Sequence, residues 1–200
     1  MFGQLRLVGA TLIRLSIKLG NLRMFIFLQR GMWHSHPFSF STAPNGEAIR
    51  FTVKSLGDFT GDLGSLRVGT RVMIDGPLGR FTEAAAAGDR FLLIAGGIGI
   101  TPIRALAESL APRRDVVLCY AARSEEDLVL RSELESLPIS RHYFVGSDRL
   151  TSGALDERVP DWREREIYLC GPAPMMASLI SQFIAAGVPR RAIHFERFAY

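Results

Sequence analysis

A chain of 200 residues with 48% hydrophobic and 22% charged side chains has material for one large core or two small ones. Its formal net charge of +4 is mild, and no basic run is interleaved with aromatics, so a nucleic-acid partner is not expected. Anionic cofactors or an acidic protein partner remain compatible with that charge. Two cysteines, Cys119 and Cys170, form neither a disulfide framework nor a Cys-x-x-Cys metal or iron–sulfur site. No apolar run reaches the ~18–20 residues of a membrane span. A reducing, cytoplasmic location without a metal site is therefore expected.

The first part of the chain separates short apolar runs with turn residues. Strands are expected over 12–19, 22–28, 38–41, 49–54 and 71–74. Gly20-Asn21, Pro44-Asn45-Gly46 and Gly76-Pro77-Leu78-Gly79 punctuate them. Residues 1–19 are apolar-rich, but Arg6, Arg14 and Lys18 interrupt them. Leu15, Ile17 and Leu19 alternate with Ser16 and Lys18, which predicts a strand rather than a membrane helix or signal peptide. A short helix is expected near 59–66. This pattern predicts a small antiparallel barrel.

Composition changes at EAAAAGD, residues 83–89. Beyond it, strands over 91–95, 116–120, 142–145, 166–170 and 192–195 alternate with helices over 102–110, 125–137 and 174–186. A further short helix lies before the fourth of these strands. That alternation predicts a parallel sheet covered by helices.

In FLLIAGGIGITPIRAL, a buried strand leads into Gly96, Gly97 and Gly99, then Thr101, Pro102 and a helix. Strand, glycine turn and helix in that order form a phosphate site, because first-turn N–H groups and the helix dipole face an anion. Packing alone also places glycine in such turns. His36-Pro37-Phe38-Ser39-Phe40-Ser41 offers an aromatic for a flat ring, a hydroxyl for a ring nitrogen and an imidazole for a phosphate. The alternative is a strand with Phe38 and Phe40 in the core and His36 outside. Val53-Lys54 and Gly57-Asp58-Phe59-Thr60 offer a second phosphate contact, or a plain helix cap. Cys170-Gly171-Pro172 ends another strand, on the rim where parallel sheets bind ligands. Its cysteine is a ligand neighbour or a small buried hydrophobe. Arg123-Ser124, with Arg131 eight residues on, stand where a 2′-phosphate or a ribose hydroxyl is read, or are solvated.

HPFSFS, GDFT, GPLGRF, AGGIGITP, YLCGP and ERF occur in this order, and with them the chain resembles the ferredoxin–NADP⁺ reductase superfamily. The resemblance is nearest to the ferric-reductase and NADPH-oxidase-like branch. It implies an antiparallel FAD-binding β-barrel over 1–84 and a Rossmann-like, parallel-sheet NAD(P)-binding domain over 85–200. The barrel is expected to be N-terminally shortened, with an exposed edge, because only 19 residues precede Gly20. By resemblance, His36 stands beside the flavin pyrophosphate, Phe38 stacks on the isoalloxazine and Ser39 meets its reactive nitrogen, with Pro37 between them. Val53, Lys54 and Gly57 to Thr60 form the second flavin contact. Gly97, Ile98, Gly99, Thr101 and Pro102 form the dinucleotide turn. From their own chemistry, Arg123 and Arg131 favour NADPH over NADH, because a 2′-phosphate takes a nearby guanidinium. Cys170, Gly171 and Pro172 face the nicotinamide. Glu196 is the terminal acid, and Phe198 shields the flavin and moves aside for the nicotinamide.

The implied reaction is hydride transfer from NAD(P)H to FAD. Electrons then leave singly to a ferric chelate or a small redox protein, with Ser39, Cys170 and Glu196 as the catalytic set. Two other readings stay open. One is a nucleotide-binding remnant without catalysis. The other is a reductase subunit that works only with a separate haem membrane protein.

Overall fold

The computed structural model describes residues 2–8, 22–29, 31–43, 48–55, 57–78 and 81–197. The strand expected over 12–19, the turns Gly20-Asn21 and Pro44-Asn45-Gly46, Gly79 and Phe198 lie outside these residues.

The antiparallel half contains β1 (Phe2–Val8), β2 (Leu22–Phe27), β3 (His36–Ser39), β4 (Ala48–Lys54) and β5 (Val72–Leu78). β1 is a strand that the sequence reading did not place. Its signal is the alternation of Gln4 and Arg6 with Leu5 and Leu7. It pairs antiparallel with β4 along its whole length, from Phe2 opposite Lys54 to Val8 opposite Ala48. The other strands form a sheet in the order β3-β2-β5. Pro37 and Pro77 both fall on its edge strands, where a missing N–H breaks no ladder. Phe25 and Phe27 of β2 and Ile49 and Phe51 of β4 close one core between the two sheets. The Phe25 and Phe51 rings lie 4.8 Å apart. Burying a phenylalanine this fully stabilises by roughly 2–3 kcal/mol. The helix expected near 59–66 is α1 (Asp58–Asp62), followed by a 3-10 turn at Leu63–Ser65.

Residues 81–89 are anchored to the second half. Phe81 meets Tyr168 edge-on at 5.2 Å, and the Tyr168 hydroxyl donates to the Thr82 carbonyl at 2.7 Å.

That half alternates β6 (Arg90–Gly96), α2 (Ile100–Leu110), β7 (Asp115–Ala122), α3 (Arg131–Glu135), β8 (Ser140–Val145), α4 (Ser152–Arg158), β9 (Glu166–Cys170), α5 (Ala173–Ala185) and β10 (Ile193–Glu196). The sheet order is β10-β9-β6-β7-β8, and every pair is parallel. Apolar side chains cover both faces. One layer contains Phe91, Leu93, Leu106 and Tyr120; the other contains Leu92, Ile94, Trp162 and Phe183. The chain runs outward from β6 to β8, then crosses back to lay β9 on the other side of β6. Strand order therefore reverses between β6 and β9, and a crevice opens beyond their carboxyl ends.

The helix expected over 125–137 is interrupted. A 3-10 turn spans Glu125–Asp127, Leu130 takes a left-handed φ of 64°, and only Arg131–Glu135 is α-helical. Leu128 and Leu134 are buried in one core layer, with Val129, Leu130 and Leu137 packed against it. A single regular helix would spread Leu128, Val129 and Leu130 around its axis, so burial overrides helical periodicity.

Candidate functional site

Three strand ends converge at the β6–β9 crevice. Ser39 ends β3, Cys170 ends β9 and Glu196 ends β10. Cys170 and Glu196 are register partners. The Ser39 hydroxyl donates to Glu196 Oε1 at 3.3 Å, across the boundary between the two halves. The other carboxyl oxygen, Oε2, is buried with no hydrogen-bond partner. Burial pushes the Glu196 carboxyl up to about 7, against the opposing effect of the Ser39 hydrogen bond. Burial, reinforced by the neighbouring Glu196, also pushes the Cys170 thiol up. Cys170 is fully buried and packs in one core layer of the parallel sheet.

The glycine turn leans directly on this place. Gly97 has φ +52°, and the space where its Cβ would stand is open. Gly99 has no such room: a Cβ there would lie 2.2 Å from the Cys170 carbonyl oxygen. The turn is held by Tyr120, whose hydroxyl lies 3.3 Å from the Gly97 carbonyl and 3.2 Å from that of Asp127. The Thr101 hydroxyl donates to the Ile98 carbonyl at 3.1 Å, which turns it inward. Pro102 sits in the first turn of α2, where its missing N–H has no intrahelical partner to lose. On the facing rim, Gly171 and Pro172 lead into α5.

On the antiparallel half, Phe38 is half-buried. Its ring lies parallel to Phe51 at 5.3 Å, which covers one of its two faces. His36 stacks on Phe59 at 3.5 Å, joining β3 to α1, and burial holds its imidazole below the usual range. Pro37 is exposed. Gly57 N–H donates to the Thr60 hydroxyl, which donates to the Gly57 carbonyl, each at 3.1 Å. Asp58 is exposed beside them, and Val53 and Lys54 end β4. Arg123 is exposed beyond the end of β7, and Ser124 caps the 3-10 turn after it. Arg131 is committed elsewhere: it pairs with Glu125 and Glu135 and lies over the Tyr143 ring at 4.9 Å.

The oxidoreductase NAD-binding domain family matches residues 93–180, the stretch that carries both rims of the crevice. An NADPH oxidoreductase of Mycobacterium tuberculosis is 31% identical over 185 residues, 85% of this chain and 48% of that protein. An NADH oxidoreductase HCR of Escherichia coli is 30% identical over 76% of this chain and 51% of that protein. The FAD/NAD-binding domain of nitric oxide dioxygenase from Vibrio cholerae superposes with a TM-score of 0.81 at 25% identity, covering 98% of this chain and 92% of that one. The chain is similar in sequence to NAD(P)H oxidoreductases and shares the fold of the ferredoxin–NADP⁺ reductase superfamily. It spans about half the length of the curated relatives it matches.

An ion network, missed in the sequence, locks the two halves together. Arg104 of α2 donates to the Ser41 carbonyl at 2.9 Å and to Glu108 Oε2 at 2.7 Å, and its Nε lies 3.0 Å from Glu133. Arg50 of β4 holds the same Glu133 through both carboxyl oxygens, at 3.0 and 2.6 Å, and also reaches the Ser41 carbonyl at 3.0 Å. Ala43 N–H donates to Glu108 at 2.6 Å. Ser41 lies two residues beyond Ser39, and Arg104 lies one helical turn beyond the glycine turn. The network therefore sets the position of one rim against the other. Its sequence signal is a charged pair, Arg104 and Glu108, on a helix with no other charged residue up to Leu110. Glu133→Ala removes the carboxylate that Arg50 and Arg104 share and leaves Arg104 with Glu108 alone. A loss of about 3 kcal/mol in urea unfolding is expected, with Glu133→Gln intermediate.

Among the described residues no helix is long and apolar enough to cross a membrane, and no cluster of His, Cys, Asp and Glu is placed to hold a metal ion.

Proposed function

We propose that this chain is a flavin-dependent NAD(P)H oxidoreductase, with FAD held by the part spanning 1–84 and the nicotinamide nucleotide by the part spanning 85–200. The observation that carries the reading is the meeting of Ser39, Cys170 and Glu196 at the β6–β9 crevice, with Glu196 Oε2 buried and unpartnered. A buried acceptor without a donor is costly, and a ligand bearing an N–H or a hydroxyl at that point removes the cost. The open side of Gly97, at the start of the turn into α2, fits a diphosphate in the same way.

When bound, FAD supplies the two-electron to one-electron conversion, accepting hydride from NAD(P)H and releasing electrons singly. The chain's own residues bind and orient. Phe38 offers its free ring face to the isoalloxazine, with Pro37 beside it. Ser39 donates toward the reactive nitrogen, and Glu196, near half-protonation at neutral pH, holds or returns a proton through Ser39. His36, Val53, Lys54 and the segment Gly57, Asp58, Phe59 and Thr60 take the flavin diphosphate side. Gly97, Ile98, Gly99, Thr101 and Pro102 take the dinucleotide diphosphate. Cys170, Gly171 and Pro172 wall the nicotinamide. Arg123 and Ser124 read the adenosine ribose, and Arg123 favours NADPH. Phe198 covers the ring until the nicotinamide arrives. The acceptor in this reading is a ferric chelate, a small redox protein or a separate haem protein of a membrane, as in the ferric-reductase branch, with the chain itself in the cytoplasm.

The test is one absorbance spectrum of the purified protein, supplemented with FAD and then mixed anaerobically with NADPH or NADH. Flavin bands that bleach on addition, faster with NADPH, are expected. A colourless chain that takes up no FAD overturns the proposal.

A further inference from the structure

Three arginines are almost wholly buried: Arg23, Arg104 and Arg165. Two are matched by acids. Arg104 lies against Glu108 and Glu133, and Arg165 against Asp115 and Asp161. Arg23 is different. It is 0% exposed, and Nε, Nη1 and Nη2 all lack a hydrogen-bond partner. Its guanidinium lies over the Phe40 ring at 5.6 Å, and among the described residues no carboxylate pairs with it. Charge–ring attraction offsets part of the cost of desolvation and leaves the N–H donors unsatisfied. An unpaired buried guanidinium is destabilising, so a fold gains nothing from it unless something else uses the charge.

Its position says what that is. On β2, Arg23 stands directly opposite Phe38, and its neighbour Leu22 stands opposite Ser39. Cross-strand partners project to the same face of a sheet, so Arg23 shares its face with Phe38. The groups proposed for the flavin diphosphate lie away from it. His36 pairs with Phe25, two residues further along β2, and Lys54 and Gly57 to Thr60 belong to β4 and α1.

We propose that Arg23 is a flavin-tuning residue, whose guanidinium donates to the carbonyl and nitrogen edge of the isoalloxazine and offsets the charge that reduction places there. This rests on the function proposed above. A hydride brings two electrons and one proton, so a neutral ring that accepts it gains one negative charge until a second proton arrives. A fixed cation at the ring edge favours that product over the oxidised ring.

The test compares the full chain with Arg23→Met and Arg23→Lys. Flavin-free Arg23→Met should melt at or above the wild-type temperature, because the unpaired charge is gone. With FAD bound, its two-electron midpoint potential should fall by a tenfold loss of preference for the reduced form, about 30 mV. Arg23→Lys should recover most of that shift. Affinities for riboflavin and FAD should fall alike in Arg23→Met, since the contact is to the ring. A flavin-free Arg23→Met chain that melts lower, with an unchanged potential, would mean that Arg23 only packs the sheet and overturns the assignment. A loss confined to FAD would assign Arg23 to the diphosphate and also overturn it. A wild-type chain that binds no flavin overturns the proposed function together with this inference.

Discussion

Gly99→Ala is expected to cost about 3 kcal/mol or more of stability and to weaken nicotinamide-nucleotide binding at least ~100-fold. The added Cβ would lie 2.2 Å from the Cys170 carbonyl oxygen, 2.4 Å from its carbon and 2.7 Å from the Gly171 nitrogen. All three are backbone atoms of the facing rim, so no side chain can swing aside. Either the turn lifts off the end of β9 or β9 shifts within a sheet whose central residues are fully buried. Both responses move the glycine turn relative to Cys170. Gly97→Ala is the control. It meets nothing within 4 Å but forces alanine to φ +52°, a cost of about 1 kcal/mol. Urea unfolding and calorimetric titration with NADPH separate the two. Equal, small effects at both positions would mean that the rims are not in contact.

The second large effect is a pH dependence owed to Glu196. Its carboxyl is raised from 4.5 to about 7 in the folded chain, chiefly by burial. Between those values the folded chain holds a proton that the unfolded chain has released. Stability of the flavin-free protein therefore falls as pH rises through that window, by about 3 kcal/mol in all, and levels off above about 7. Glu196→Gln is always neutral and should lose that part of the slope, becoming the more stable form at pH 8. Unfolding free energies at pH 5 and pH 8 check this. His36 and His142, whose imidazoles burial holds below the usual range, are common to both proteins, so the difference isolates Glu196. Under the proposed function, the rate of flavin reduction should break near pH 7 in the wild type and show no such break in Glu196→Gln. Identical stability slopes would show that Glu196 is solvated rather than buried beside Ser39.

Much of the fold could be read from period and punctuation. Continuous apolar runs such as Phe91–Ala95 mark parallel strands because both faces are covered, and all five parallel strands lie within two residues of their expected ends. Local chemistry also marked the glycine turn and the HPFSFS strand, whereas Glu196 was marked only by the resemblance. β1 was not recognised, although Gln4 and Arg6 alternate with Leu5 and Leu7. The broken helix at Leu130 could not have been read, because burial of Leu128 and Leu134 in the layer over β7 decides it.

The amino-acid sequence by itself determined the order of elements, the family resemblance and the residue types that gather at the strand ends, because periodicity and turn chemistry are local properties. Which of those residues touch was decided only in three dimensions. Ser39 and Glu196 are separated by most of the chain, and their contact exists because β10 is laid beside β9 while the Arg50–Glu133–Arg104 network sets β3 against α2. The two buried oxygens of Glu196, one partnered and one not, and the bare guanidinium of Arg23 follow from that closure. Burial is a property of the whole packed molecule, and it changes what a carboxyl or a guanidinium costs without changing its letter in the chain.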